Sequence, residues 1–357
     1  QVYDIANVAN KGFSQRIITA PFSPLGHDTR IETANATCVV LPTTQPIQPS
    51  RNQGDLMRKV NLEQPFHPLY EYAYILDAEE GLIVTDIDTL MDGEPRNNFL
   101  ERALTWNEEG VLDGARHMIL GGYYAYVIAD AGLVVVNIDQ PLAPKLEAVL
   151  PLNNGHSLAQ QVRYLFVTDA DGLKVVDITQ PTEPRLVEGA LVPMPEARRL
   201  HLARTYAYVA AGSQGLAIVD IEKPEQPRLL QPFSDGLVAS QDVTVASTNA
   251  SLFAYVADGD GGLKVIQLTA PDSQPKFYGF SPEPQPELIA TYPTGSKAMS
   301  LSRPLERDRG VDETGGQIAV FGRVGSRPLN LEEMQRLYLS LIHISEPTRQ
   351  ESRSRIP

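Results

Sequence analysis

The sequence predicts an all-β protein of short four-stranded sheets repeated around an axis, and three features predict it. A glycine-led run recurs as Gly81-Leu82-Ile83-Val84-Thr85-Asp86-Ile87, Gly132-Leu133-Val134-Val135-Val136-Asn137-Ile138, Gly172-Leu173-Lys174-Val175-Val176-Asp177-Ile178, Gly215-Leu216-Ala217-Ile218-Val219-Asp220-Ile221 and Gly262-Leu263-Lys264-Val265-Ile266-Gln267-Leu268. From glycine to glycine the steps are 51, 40, 43 and 47 residues, an interval that marks stacked or radially arranged units rather than separate domains. An aromatic strand precedes each glycine, and a link with two spaced prolines follows three of the runs.

The aromatic strands are Tyr72-Ala73-Tyr74-Ile75, Tyr124-Ala125-Tyr126-Val127, Tyr164-Leu165-Phe166-Val167, Tyr206-Ala207-Tyr208-Val209 and Phe253-Ala254-Tyr255-Val256. Aromatic and β-branched residues at alternate positions suit a pleated surface. Between them and the glycine runs lie turns such as Asp130-Ala131-Gly132 and Asp258-Gly259-Asp260-Gly261-Gly262, so each unit contains a hairpin. The links Pro141 to Leu146, Pro181 to Leu186 and Pro224 to Leu229 place prolines where a ladder needs no donor, at strand ends and sheet edges, before an outer strand. An inner strand is expected ahead of each aromatic one: Arg116 to Leu120, His156 to Gln160, Arg198 to Leu202 and Asp242 to Ala246. Four strands in about forty residues, repeated radially, make the blade of a β-propeller.

Over residues 66 to 270 the chain resembles the LVIVD-repeat family, whose motif Leu216-Ala217-Ile218-Val219-Asp220 nearly spells. The resemblance implies a bacterial or archaeal propeller of an exported or surface protein, with no shared catalytic residues.

Taken in order, residues 1–22 read as a half-blade, 23–62 as a degenerate blade in which Thr37 to Leu41 is the clearest strand, and 63–292 as five clear blades. The proline-rich Ser281 to Pro286 reads as an exposed loop before a strand from Glu287 to Tyr292. Residues 293–330 read as a degenerate last blade, with Lys297 to Ser302 as its inner strand, and 331–339 as a short helix, all within a propeller over 1–339. Ser340 to Arg349 resembles a translated sequencing-adapter read-through, so 340–357 is set apart as a non-native tail. Seven blades are favoured, with six or eight as alternatives, and N- and C-terminal strands sharing one blade would close the ring. Gln1 is not an initiator, so both natural termini are expected to lie outside this stretch.

The formal net charge is -14, which repels phosphate backbones and disfavours nucleic acid as a partner. No run of eighteen apolar residues suggests a membrane span. Cys38 is the only cysteine and, beside Val39 and Val40, reads as a buried structural thiol. Asp169-x-Asp171-Gly172 and Asp258-x-Asp260-Gly261 echo the opening of a calcium loop, but neither has the later acidic ligand and both read as turns.

Polar residues near the starts of the inner strands are the candidate site: His67, Arg116, His117, His156, Arg198, Arg199, His201, Gln241 and Asp242. Inner strands line the axis, so residues far apart in sequence can converge at the channel mouth. Aligned on Tyr-Ala-Tyr, their register is expected to differ from blade to blade. The sequence therefore points to a non-catalytic binding or scaffold propeller that presents loops and a channel mouth to a protein or other macromolecule. The resemblance places it at the cell surface or in the periplasm. One alternative is an enzyme or metal-binding propeller using the channel histidines; another is a structural module of a larger surface or electron-transfer assembly. No catalytic residue, cofactor or metal site is assigned.

Overall fold

A computed structural model describes residues 31–42, 68–87, 100–230, 232–247, 251–270 and 281–302, together with the backbone of 323–324 and 327–328. Within them the chain forms five antiparallel four-stranded sheets, each a meander whose spatial order follows or reverses the chain order. Blade I holds β1 (Ala36–Val40), β2 (Tyr72–Asp77), β3 (Gly81–Asp86) and β4 (Glu101–Trp106). Blade II holds β5 (His117–Gly121), β6 (Tyr124–Ala129), β7 (Gly132–Asn137) and β8 (Lys145–Leu150). Blade III is β9 (Ser157–Gln161), β10 (Tyr164–Asp169), β11 (Gly172–Asp177) and β12 (Arg185–Pro193). Blade IV is β13 (Leu200–Ala203), β14 (Tyr206–Ala210), β15 (Leu216–Asp220) and β16 (Arg228–Leu229), and blade V is β17 (Asp242–Ser247), β18 (Leu252–Ala257), β19 (Leu263–Thr269) and β20 (Glu287–Tyr292).

Four apolar clusters hold the blades together, and each lies between two consecutive blades rather than inside one. Blades I and II share Tyr74, Leu76, Val84, Met118, Ala125 and Val127, while II and III share Tyr126, Ile128, Leu133, Leu165 and Val167. Phe166, Leu173, Val175, Ala207 and Val209 join III to IV, and Tyr208, Ile218, Ala254 and Val256 join IV to V. Successive side chains of a strand point to opposite faces, so the middle strands of blades II to IV bury both faces, whereas in blade V Phe253, Tyr255 and Leu263, on the face turned from blade IV, are only half-buried. That geometry explains the Tyr-Ala-Tyr step: the third-position aromatic faces the next blade, and the second-position alanine makes room for the aromatic of the blade before. Tyr74 and Ala125, Phe166 and Ala207, and Tyr208 and Ala254 fall in common clusters on this rule.

The repeat glycine has an equally specific cause. Gly81, Gly132, Gly172, Gly215 and Gly262 all have positive φ, and a Cβ at each would strike the carbonyl oxygen of Trp106, Leu150, Val192, Phe233 and Tyr292 respectively. The tip of the hairpin is clamped against the end of the outer strand, and only glycine fits.

Two sequence expectations are corrected. Thr37 to Leu41, expected as the clearest strand of a separate degenerate blade, belongs instead to blade I, where Ala36–Val40 pairs antiparallel with β2 as the inner strand; most of residues 23–62 lie outside the described residues. In the other blades a short hairpin or turn joins inner to second strand, whereas here residues 43–67 intervene, and register across such a gap is set by tertiary pairing. The link from Ser281 to Pro286 is not wholly exposed: Pro284 is buried, and Ser281 Oγ lies 2.5 Å from Thr205 Oγ1 on blade IV. The half-blade at 1–22, the helix at 331–339 and the tail at 340–357 lie outside the described residues. Cys38 is half-buried, its Sγ 3.7 Å from the Met118 carbonyl. No helix among the described residues is long and apolar enough to cross a membrane.

Candidate binding site at the channel mouth

The five inner strands β1, β5, β9, β13 and β17 neighbour one another in chain order around the axis. Arg116, His156 and Arg198 do not lie in the strands, as expected from sequence, but just before them. Each is fixed by its own backbone: Arg116 N donates to Ile128 O at 2.8 Å, His156 N to Thr168 O at 2.8 Å, Arg198 N to Ala210 O at 2.8 Å and Gln241 N to Ala257 O at 2.7 Å. These four residues therefore hold equivalent stations on four consecutive blades, while His117 and His201 stand at other stations, so the register of the histidines does differ from blade to blade. The signal was in the sequence, since Arg116, His156 and Arg198 each stand eight residues before Tyr124, Tyr164 and Tyr206. Only Gln241 departs, because the hairpin from β17 to β18 is longer.

Side chains then cross between blades. Arg116 Nη1 reaches Gly155 O at 3.5 Å, beside His156, and its Nη2 pairs with Asp130 Oδ1 at 2.5 Å. Arg199 Nη2 donates to the Arg116 carbonyl at 3.2 Å, spanning from blade IV to blade II. Thr168 Oγ1 donates to the Arg198 carbonyl at 2.5 Å. His117 Nδ1 accepts from Leu158 N at 3.2 Å and lies 3.1 Å from Ser157 Oγ. A backbone N–H can only donate, so Nδ1 is the acceptor in this contact. His201 sits deeper, opposite Tyr208, with Nδ1 3.5 Å from Thr244 Oγ1.

Asp242 is 7% exposed, and its two oxygens accept from Val243 N and Leu301 N, both at 2.8 Å. Burial pushes its carboxyl above the ordinary value, opposed by the Leu301 N–H and by the Arg199 charge. Burial pushes the His156 imidazole the other way, below its ordinary value, helped by Arg116, Arg198 and Arg199. The structure thus brings Arg116, His156, Arg198, Arg199 and Asp242 into one electrostatic group. It ties His117 to blade III, leaves His201 further down the axis, and does not describe His67. Among the described residues no three His, Cys, Asp or Glu side chains are grouped to hold a metal ion. A cavity of about 240 Å³ lined by Thr244, Ala246, Tyr255, Leu263, Leu301 and Ser302 lies on the face of blade V turned away from blade IV.

The LVIVD repeat matches residues 70–89, 114–148, 161–191, 196–234 and 241–278, one segment for each blade. The chain is an LVIVD-repeat β-propeller. No curated protein matches it significantly. Among solved structures, a Lactobacillus plantarum protein is 12% identical over 63% of this chain and 68% of its own, with a TM-score of 0.47. The computationally designed Ika8 protein is 15% identical over 55% of each chain, with a TM-score of 0.40. PorZ, a bacterial surface component of the type-IX secretion system of Porphyromonas gingivalis, is 16% identical over 56% of this chain and 30% of its own, with a TM-score of 0.34. Likenesses this distant say nothing of ligand or activity.

In this LVIVD propeller a buried aspartate at the end of the second strand supports the channel mouth, a role the sequence reading missed. Asp77, Asp169 and Asp258 are each 0% exposed. Asp169 Oδ1 accepts from Asp171 N at 2.9 Å, closing the hairpin, while Oδ2 accepts from Asn153 N at 3.2 Å and Lys174 Nζ at 2.6 Å. Asp77 ties Asn35 to the Glu79–Glu80 turn, and Asp258 holds Val238, Ala239 and Ser240. In the acidic pairs that echo a calcium loop, Asp169 and Asp258 accept from backbone N–H groups, while Asp171 and Asp260 pair with Lys174 and Lys297. The visible signal was that Lys174 and Lys264 occur only in repeats whose second strand ends in one of these aspartates.

Segment 297–302 enters the mouth beside them. The two-bond bridge between Gly212 and Ser240, which leads into β17, recurs between Gly259 and Ala298. Lys297 to Ser302 therefore sets out from blade V as β17 sets out from blade IV, though it forms no strand over the described residues.

Proposed function

We propose that this propeller is a non-catalytic scaffold that binds a macromolecular partner, a protein, at its channel mouth, and that it works outside the cytoplasm, at the cell surface or in the periplasm. One observation carries the reading: exposed Arg198 stands at the mouth on a chain of net charge -14, beside Arg116 and Arg199, while the imidazole His117 is committed to a neighbouring blade. A local patch opposite in sign to the whole molecule favours a complementary protein surface over nucleic acid. The location rests on the resemblance to exported LVIVD proteins and is tested by fractionating cells that express the full-length gene. The binding role is tested by capture from the extracytoplasmic fraction. A partner retained by the wild-type chain and lost by Arg198→Glu supports it, and stoichiometric turnover of a small molecule with no partner retained would overturn it.

A further inference from the structure

We infer that Arg116, Arg198 and Arg199 form a carboxylate-binding site that takes an acidic side chain of the partner protein, an inference that rests on the binding role proposed above. The three arginines come from blades II and IV, and the charges of all three act on the His156 ring of blade III between them. Arg116 is held over Gly155 at 3.5 Å, and Arg199 is anchored at 3.2 Å on the Arg116 carbonyl. Arg198 is exposed and makes no side-chain hydrogen bond or ion pair among the described residues. A guanidinium has five N–H donors in a planar fork that matches a carboxylate. Arg116 spends two contacts, on Gly155 and Asp130, and Arg199 one, so most of these donors have no acceptor within the described fold.

The nearby carboxylates are already engaged. Asp130 is held by Arg116, Glu196 Oε2 accepts from Ser213 N at 2.6 Å, and Asp242 accepts from two backbone N–H groups. Between the arginines sits His156, and its neighbourhood is net positive: three cations act on it against Asp169, which is itself paired with Lys174 at 2.6 Å. The same arrangement selects the charge of the ligand. Asp130 and Asp242 flank the arginines, so a monoanionic carboxylate is accommodated while the second charge of a phosphate dianion is opposed.

The test titrates the purified chain with penta-glutamate, penta-glutamine and inorganic phosphate, following heat and the His156 ring signal by NMR. Penta-glutamate should bind, weaken as salt rises, and raise the His156 titration midpoint as it neutralises the arginines; Arg198→Glu, with an unchanged melting temperature, should bind about tenfold or more weakly. The rest of the acidic surface repels such a peptide, so non-specific attraction does not mimic this result. Equal binding of penta-glutamine, tighter binding of phosphate, or undiminished binding by a folded Arg198→Glu overturns the site. If penta-glutamate fails to bind while a protein partner is still captured, the carboxylate site is lost and the scaffold role stands.

Discussion

Arg199 of blade IV donates from Nη2 to the backbone carbonyl of Arg116 in blade II at 3.2 Å, joining residues 83 apart in the chain across the channel mouth. Because Arg199 is half-buried, its loss should cost about 1.5 kcal/mol, the low end for a charged hydrogen bond. Arg199→Met should therefore lower the urea midpoint modestly without changing the slope. Removing this charge should also raise the titration midpoint of His156, and Arg199→Lys should hold that midpoint near the wild-type value.

The pH dependence follows from two groups shifted in opposite directions. His156 is held below its ordinary 6.5 by burial and three arginines, so the unfolded chain binds a proton that the fold resists. Its contribution is fully present above pH 6.5 and is lost as pH falls through the depressed folded value. Asp242 is raised above 3.8 by burial, so its contribution is present below 3.8 and lost as pH rises through the folded value. Denaturant melts from pH 4 to 8 should show His156→Gln losing the drop as pH falls below 6.5 and Asp242→Asn losing the decline as pH rises from 4. A wild-type curve matched by both variants would refute the assignment.

Tyr74 and Tyr208 are 0% exposed, and neither hydroxyl has a hydrogen-bond partner among the described residues. An unmade hydrogen bond in the interior costs free energy, so Tyr208→Phe should be neutral or raise stability by up to about 1 kcal/mol. Blade III already carries Phe166 at this station. A clear drop in melting temperature for Tyr208→Phe would show that the hydroxyl is satisfied, for instance by water.

Gly172 has φ 142°, and a Cβ there meets the Val192 carbonyl oxygen and the Met194 nitrogen. Gly172→Ala should cost about 3 kcal/mol, combining backbone strain with overpacking. Gly122 is the control: its φ is 64° but a Cβ meets nothing, so Gly122→Ala should cost about 1 kcal/mol from the left-handed backbone alone. Equal costs measured by chemical denaturation would contradict the clamp described for the repeat glycine.

Val162 takes φ 53° in the turn after β9 while 86% exposed, at the station held by Gly122 in blade II and Arg204 in blade IV. A β-branched residue is disfavoured there. Val162→Gly should raise stability by about 1 kcal/mol, relief of strain exceeding the added chain entropy of glycine. A thermal melt that falls instead would mean that the valine methyls pack against something the strain offsets.

Much of this could be read from residues alone wherever neighbours in sequence are neighbours in space. The hairpins from Tyr124 to Asn137 and from Tyr164 to Asp177 pair rung by rung as the alternation implies. The outer strands also follow the proline links, except that β16 shrinks to Arg228–Leu229 between Pro227 and Pro232, neither of which has an N–H to donate. The site was half legible: its residues were named, but the equivalence of Arg116, His156 and Arg198 appeared only when their backbone bonds were seen.

What the sequence by itself determined is the blade, because turn chemistry, side-chain alternation and a glycine clamp act over a few tens of residues and repeat. Tertiary structure alone decided that Ala36–Val40 joins β2 across a long insertion, and that Arg199 meets Arg116 while His201 stays apart. The reason is geometric: rotation of successive sheets about a common axis fixes which inner ends converge, and no local pattern in the chain encodes that angle.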